Sequence, residues 1–244
     1  MTTEDLTDHT QAERQRLADI LSSLHEEQWA APSLCTGWRI REVVAHITMP
    51  YRIGAATFFL GLARSRFNFN RYADRAARAD AARFTDAELL ETLRANTHHP
   101  WRPPGGGQLG ALSHDVIHGL DITEPLRLPS CPPERIALVL RQSGTENLGY
   151  FGVDLTGRQL IASDAQASLG EGTPVHLPAK DILLIATGRY PVPSPGPSDA
   201  DEGAVEHAQA GPHRAEQPGH RDEHGPDPAR PPEPHGTTDH QEPS

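Results

Sequence analysis

The chain has 244 residues, long enough to bury a core without disulfides, and its 33 acidic against 22 basic residues give a net charge of −11 at neutral pH. That balance excludes the basic excess of a protein that neutralises nucleic-acid phosphates. Eleven of the acids fall in residues 194–244, a stretch without Leu, Ile, Phe, Tyr, Trp or Met, so residues 1–193 are only mildly acidic.

A stretch so poor in apolar side chains cannot offset the entropy of ordering the chain, and residues 194–244 are expected to form a disordered, Pro-, His- and acid-rich tail. Its six histidines read as decoration of a solvated tail or as a weak metal-binding tract. The first residues, MTTEDLTDHTQAER, lack the apolar segment of a signal peptide, and the longest greasy run, Ile53 to Ala63, is too short to span a bilayer. A cytoplasmic protein is expected. Its two cysteines, Cys35 and Cys131, form no CxxC motif and no disulfide framework.

In chain order, Leu17, Ile20, Leu21 and Leu24 recur at helical spacing and predict an amphipathic helix over about residues 8–25. After the turn WAAPSLCTGW, Ile40, Val43, Val44 and Ile47 mark a second helix, continuing kinked past Pro50 towards Arg66. A third helical region spans about residues 72–97, interrupted near Phe84, where Thr85 and Glu88 have capping-box spacing. The loop HPWRPPGGGQLG leads to a fourth helix over about residues 109–123. That loop lacks the GK[ST] ending of a phosphate loop. Beyond Pro129 the pattern changes to a helix over 132–150, strands at RQLIAS and TPVHL separated by the turn LGEGT, and a short helix over 179–187 capped by Gly188. Residues 129–193 are therefore expected to be a small α+β appendage on a bundle of residues 8–128.

The chemistry concentrates in HDVIH, where His114 and His118 stand four residues apart on a predicted helix. That spacing places two imidazoles on one face, close enough to converge on one ion, although it also suits core or capping histidines. His46, sharing a face with Val43, Pro50 and Ile53, points into the bundle from another helix. Alone it would read as a satisfied core histidine. Together the three make a divalent metal site of the kind built inside helical bundles, with a coordination position left open as in catalytic zinc sites. Zinc is the default ion, with nickel, iron and copper compatible with three imidazoles.

These residues carry a family resemblance. PSLCTGWRIREVVAHI and GALSHDVIHGLDI resemble the mycothiol-dependent maleylpyruvate isomerase family, within the DinB/YfiT-like metalloprotein superfamily, over about residues 10–190. The resemblance implies a mainly α, up-down-down-up four-helix bundle, metal ligation by His46, His114 and His118, and mycothiol as the thiol co-substrate. His114 stands where the isomerase itself has a glutamate, and a neutral ligand leaves the ion its full charge, favouring ionisation of a bound thiol. Arg39 replaces the family's Ser or Thr helix cap, a change expected to cost about 0.5–2 kcal/mol unless Thr36 compensates. The family's enzyme is further expected to have a fuller C-terminal domain than Pro132–Tyr190 provides.

The expected function is thus a metal- and mycothiol-dependent isomerase or thiol transferase acting on a small electrophile. The alternative is a non-catalytic metal-binding bundle serving in sensing, metal handling or protein interaction. Asp115 and Asp121, each three residues from His118, are candidates to orient a ligand imidazole. Arg41, Arg52 and Arg102 are candidates to hold a substrate carboxylate, each also readable as a surface arginine. Cys35 precedes a helix and reads as a packed cysteine or, with a lowered pKa, a nucleophile.

Overall fold

The computed structural model describes residues 3–145 and 147–194, so the expected tail lies outside the described residues apart from its first position. Among the described residues the protein is a mainly helical bundle with a small α+β appendage, and no helix is long and apolar enough to cross a membrane.

The bundle is built from α1 (Thr3–Ser22), α3 (Ile40–Thr48), α5 (Phe69–Arg83), α6 (Asp86–Ala95) and α7 (Gly107–Thr123), with the one-turn α2 (Glu26–Trp29) on the first connection. Leu17 and Leu21 of α1 are buried with Ile40, Val43 and Ile47 of α3, Leu89 and Leu93 of α6, and Ile122 of α7. Thr85 caps α6 as the spacing predicts, its hydroxyl accepting from Glu88 N while the Glu88 carboxylate accepts from Thr85 N at 2.8 Å. At the start of α3 the Glu42 carboxylate accepts from both the backbone N and the guanidinium of Arg39. This ion pair at the helix end offsets the missing hydroxyl, and Thr36 is not its source.

The second predicted helix is broken rather than kinked. α3 ends at Thr48, a 3₁₀ turn covers Met49–Tyr51, and α4 (Ala55–Arg64) starts afresh after Gly54. Pro50 removes a backbone donor, and Gly54 then takes the extended conformation of a helix cap.

The appendage consists of α8 (Pro133–Ser143), β1 (Arg158–Ala162), β2 (Ser168–Glu171), β3 (Thr173–Leu177) and α9 (Ala179–Ala186). The strands are ordered β2-β1-β3, with β1 antiparallel to β2 and parallel to β3. The segment LGEGT is mostly the strand β2 and not just a turn, with Leu169 paired to Leu160. The α8 helix is shorter than expected, ending at Ser143, with a separate 3₁₀ turn at Gly149–Phe151. Leu112, Val116 and Leu120 of α7 are buried with Ile136, Leu140, Leu160 and Ile182 of the appendage. α7 therefore serves both cores, and the appendage fixes the helix that carries HDVIH.

Candidate metal centre

With Leu112, Val116 and Leu120 committed to the appendage core, the neighbouring face of α7 turns His114 and His118 towards α3 and His46. Their ring centroids lie 4.8–5.1 Å apart. One ligand atom from each of the three falls within 4.8 Å of the others. His114 Nε2 and His46 Nε2 are 3.3 Å apart. Two nitrogens bound at about 2.0–2.1 Å to one tetrahedral ion would be separated by about 3.3 Å, so this spacing fits a shared metal.

The two aspartates hold different histidines. Asp115 accepts from Nδ1 of its neighbour His114 at 2.9 Å, not from His118, and Asp121 faces Nδ1 of His118 at 2.9 Å. Each carboxylate is backed by an arginine: Arg14 of α1 donates to Asp115 at 2.7 Å, and Arg189, just beyond α9, donates to both oxygens of Asp121 at 2.9 and 3.0 Å. Burial acts to raise both carboxyls, but hydrogen bonds from the histidines and the nearby guanidiniums outweigh it and hold both below the usual range. Ionised acceptors at both Nδ1 atoms place the protons there and leave the Nε2 lone pairs facing the cluster. His46 Nδ1 is buried and without a hydrogen-bond partner among the described residues. Burial, then the neighbouring His118 and His114, keep His46 well below the ordinary histidine range, hence neutral. Neutral imidazoles with free Nε2 atoms are what a metal ion requires.

The cluster opens into a cavity of about 960 Å³. Trp38 and Trp101 line it beside the histidines, their rings 5.3 Å from His46 and 5.1 Å from His114. Of the three candidate carboxylate clamps, only Arg102 reaches this cavity. Arg41 pairs with Asp86 and bonds Phe84 O, and Arg52 pairs with Asp80 at 2.6 Å, so both serve helix packing instead. Cys35 lines the cavity but donates its S–H to Asp121 at 3.0 Å. Burial and the Asp121 charge push its thiol up, against the lowering that a nucleophile needs.

Three imidazoles thus converge inside a helical bundle, beside an apolar cavity, and each of the two on α7 has its Nδ1 against an aspartate. Residues 10–99 match the family model described as mycothiol maleylpyruvate isomerase N-terminal domain. The structure is similar to the crystal structure of the mycothiol-dependent maleylpyruvate isomerase, with a TM-score of 0.52 and 13% identity, covering 78% of this chain and 90% of that one. A variant of that enzyme with one histidine replaced by alanine gives a TM-score of 0.51 and 16% identity at the same coverage. No curated protein sequence matches the chain. The resemblance read from the sequence is thus borne out, and at these identities the structural likeness speaks for the fold. The match leaves about a tenth of the isomerase chain uncovered.

Proposed function

We propose that the chain binds a divalent ion, zinc by default, through His46, His114 and His118, and uses mycothiol to act on an electrophile as an isomerase or thiol transferase in the cytoplasm. The 3.3 Å approach of His46 Nε2 to His114 Nε2 is the observation that carries this reading. Residues 8–128 are then the metal-binding unit, and residues 129–193 support it through α7 and Arg189.

An ion bound there would supply Lewis acidity, lowering the pKa of a thiol brought to the open position. The chain's own residues do the rest. Asp115 and Asp121 fix the tautomers of His114 and His118, Trp38 and Trp101 exclude water from the cluster, and Arg102 stands at the cavity wall to meet a carboxylate. A thiolate adding to an activated double bond, followed by rotation and elimination, gives isomerisation; addition alone gives a conjugate.

Metal analysis of the full chain after dialysis tests the shared premise. About one tightly held equivalent is expected, lost in His46→Ala and His118→Ala, and less than roughly a tenth of an equivalent would sink the reading. Calorimetric titration of mycothiol into the loaded protein follows. Metal without mycothiol binding would favour a non-catalytic metal-binding bundle serving in sensing, metal handling or protein interaction.

A further inference from the structure

We infer that the cavity takes an electrophile with a large apolar, ring-bearing body and no more than one carboxylate, rather than a small dicarboxylate; this rests on the thiol chemistry proposed above. Helix α4 contributes one wall of the cavity. Its sequence AATFFLGLAR is apolar almost all round, a composition normally found on buried helices, yet Phe59 is 64% exposed. Phe58 and Phe59 line the cavity together with Phe69, and Tyr150 and Phe151 line it from the appendage side. Tyr150 is 68% exposed. Apolar rings left in water beside a concave site mark a ligand groove. At about 960 Å³ the space also matches a drug-sized ligand better than a short diacid.

The cations decide the polar end. A carboxylate carried into an apolar cavity must be paired. Among the described residues the cavity is lined by two arginines, and Arg189 is committed to Asp121 through two hydrogen bonds. That leaves Arg102 for one anionic group. The third charged group in the lining, Asp74, receives Trp38 Nε1 and Arg78, and it repels a second carboxylate. Residues 194–244 offer no Phe, Tyr, Trp, Leu, Ile or Met with which to fill such a groove.

The test uses unreactive probes without thiol. trans-Cinnamate, a ring-bearing monoacid, and maleate, a small diacid, are titrated into the metal-loaded full chain by calorimetry, with Trp38 and Trp101 fluorescence as a second readout. Cinnamate should bind at least about tenfold more tightly. Phe59→Ser and Tyr150→Ser, both at exposed positions and so tolerable to the fold, should each weaken cinnamate several-fold and leave maleate unchanged. Arg102→Gln should weaken cinnamate but not neutral cinnamyl alcohol. Equal or tighter binding of maleate, or cinnamate binding indifferent to both aromatic replacements, overturns the inference while leaving metal and mycothiol binding intact. Cinnamate preference in a chain that holds neither metal nor mycothiol instead overturns the thiol reading and leaves the preference for an apolar monoacid standing.

Discussion

Asp121 Oδ2 receives Arg189 at 2.9 Å while the same oxygen faces His118 Nδ1 at 2.9 Å, so one buried carboxylate ties the C-terminal appendage to a candidate ligand. Arg189 neutralises a charge that would otherwise be stranded, and the carboxylate fixes the tautomer of His118. Asp121→Asn should therefore lower metal affinity by about 10–100-fold. Leaving Arg189 without its partner should also destabilise the metal-free chain by about 3–5 kcal/mol. Competition titration with a chelator and urea denaturation measure the two effects, and an unchanged metal affinity would contradict the orienting role.

The two arginines behind the aspartates were not legible in the sequence, and the reason is distance along the chain. Arg14 and Asp115 are 101 residues apart, Arg189 and Asp121 are 68 apart, and no local spacing reports such pairs. What was legible had a local period: the Leu17 and Leu21 stripe, the four-residue step from His114 to His118, and the Thr85–Glu88 cap. LGEGT imitates a turn through its glycines; Gly170 and Gly172 do adopt positive φ, but between them the backbone still pairs with β1. The partner of Asp115 shows the same limit of local spacing. Helical spacing placed it one turn from His118, whereas its carboxylate turns back to the adjacent His114.

Acid should weaken the metal-free fold in a defined window. Burial holds His46 well below the ordinary histidine range, so between about pH 6.5 and the lower folded value the unfolded chain binds the extra proton. Stability then rises with pH across that window and falls as pH drops below about 6.5, by up to about 1.4 kcal/mol per pH unit for one group. The depressed carboxyls of Asp115 and Asp121 add a further loss only below about pH 4. Urea midpoints of the chelator-treated chain at about pH 7.5 and 5.5 should differ. In His46→Leu the difference should shrink, and an equal slope in the variant would rule His46 out as its source.

Cys35 lines the cavity yet should resist alkylation. Its S–H donates to Asp121 and its thiol is pushed up by burial and by that negative charge, so little thiolate exists near neutral pH. Iodoacetamide at about pH 8 should modify Cys35 at least about tenfold more slowly than a free cysteine. Asp121→Asn removes the charge that holds the proton and should speed the reaction at Cys35 without affecting Cys131. Peptide mass spectrometry distinguishes the two sites. Fast labelling of Cys35 in the wild-type chain would show the thiol to be ionised after all.

The wall of the cavity depends on one glycine. A Cβ built on Gly61 of α4 would collide with Tyr72 Cε2 and lie 2.9 Å from its Cδ2. Tyr72 is buried and its ring packs edge-on against Phe58, 5.3 Å away, and tilted against Phe69, so a shift of the ring disturbs both neighbours. Gly61→Ala gains about 1 kcal/mol of helix propensity but must lift α4 from α5 or displace Tyr72, at about 1–3 kcal/mol. The net effect should be a lower melting temperature together with weaker cinnamate binding, because Phe58 moves with the helix. Gly54→Ala is the steric control, since a Cβ there meets nothing within 4 Å and stability should fall by no more than about 1 kcal/mol, the cost of Ala against Gly at a helix cap. If both variants melt like the wild type, the contact between Gly61 and Tyr72 is not what seats α4 over the cavity.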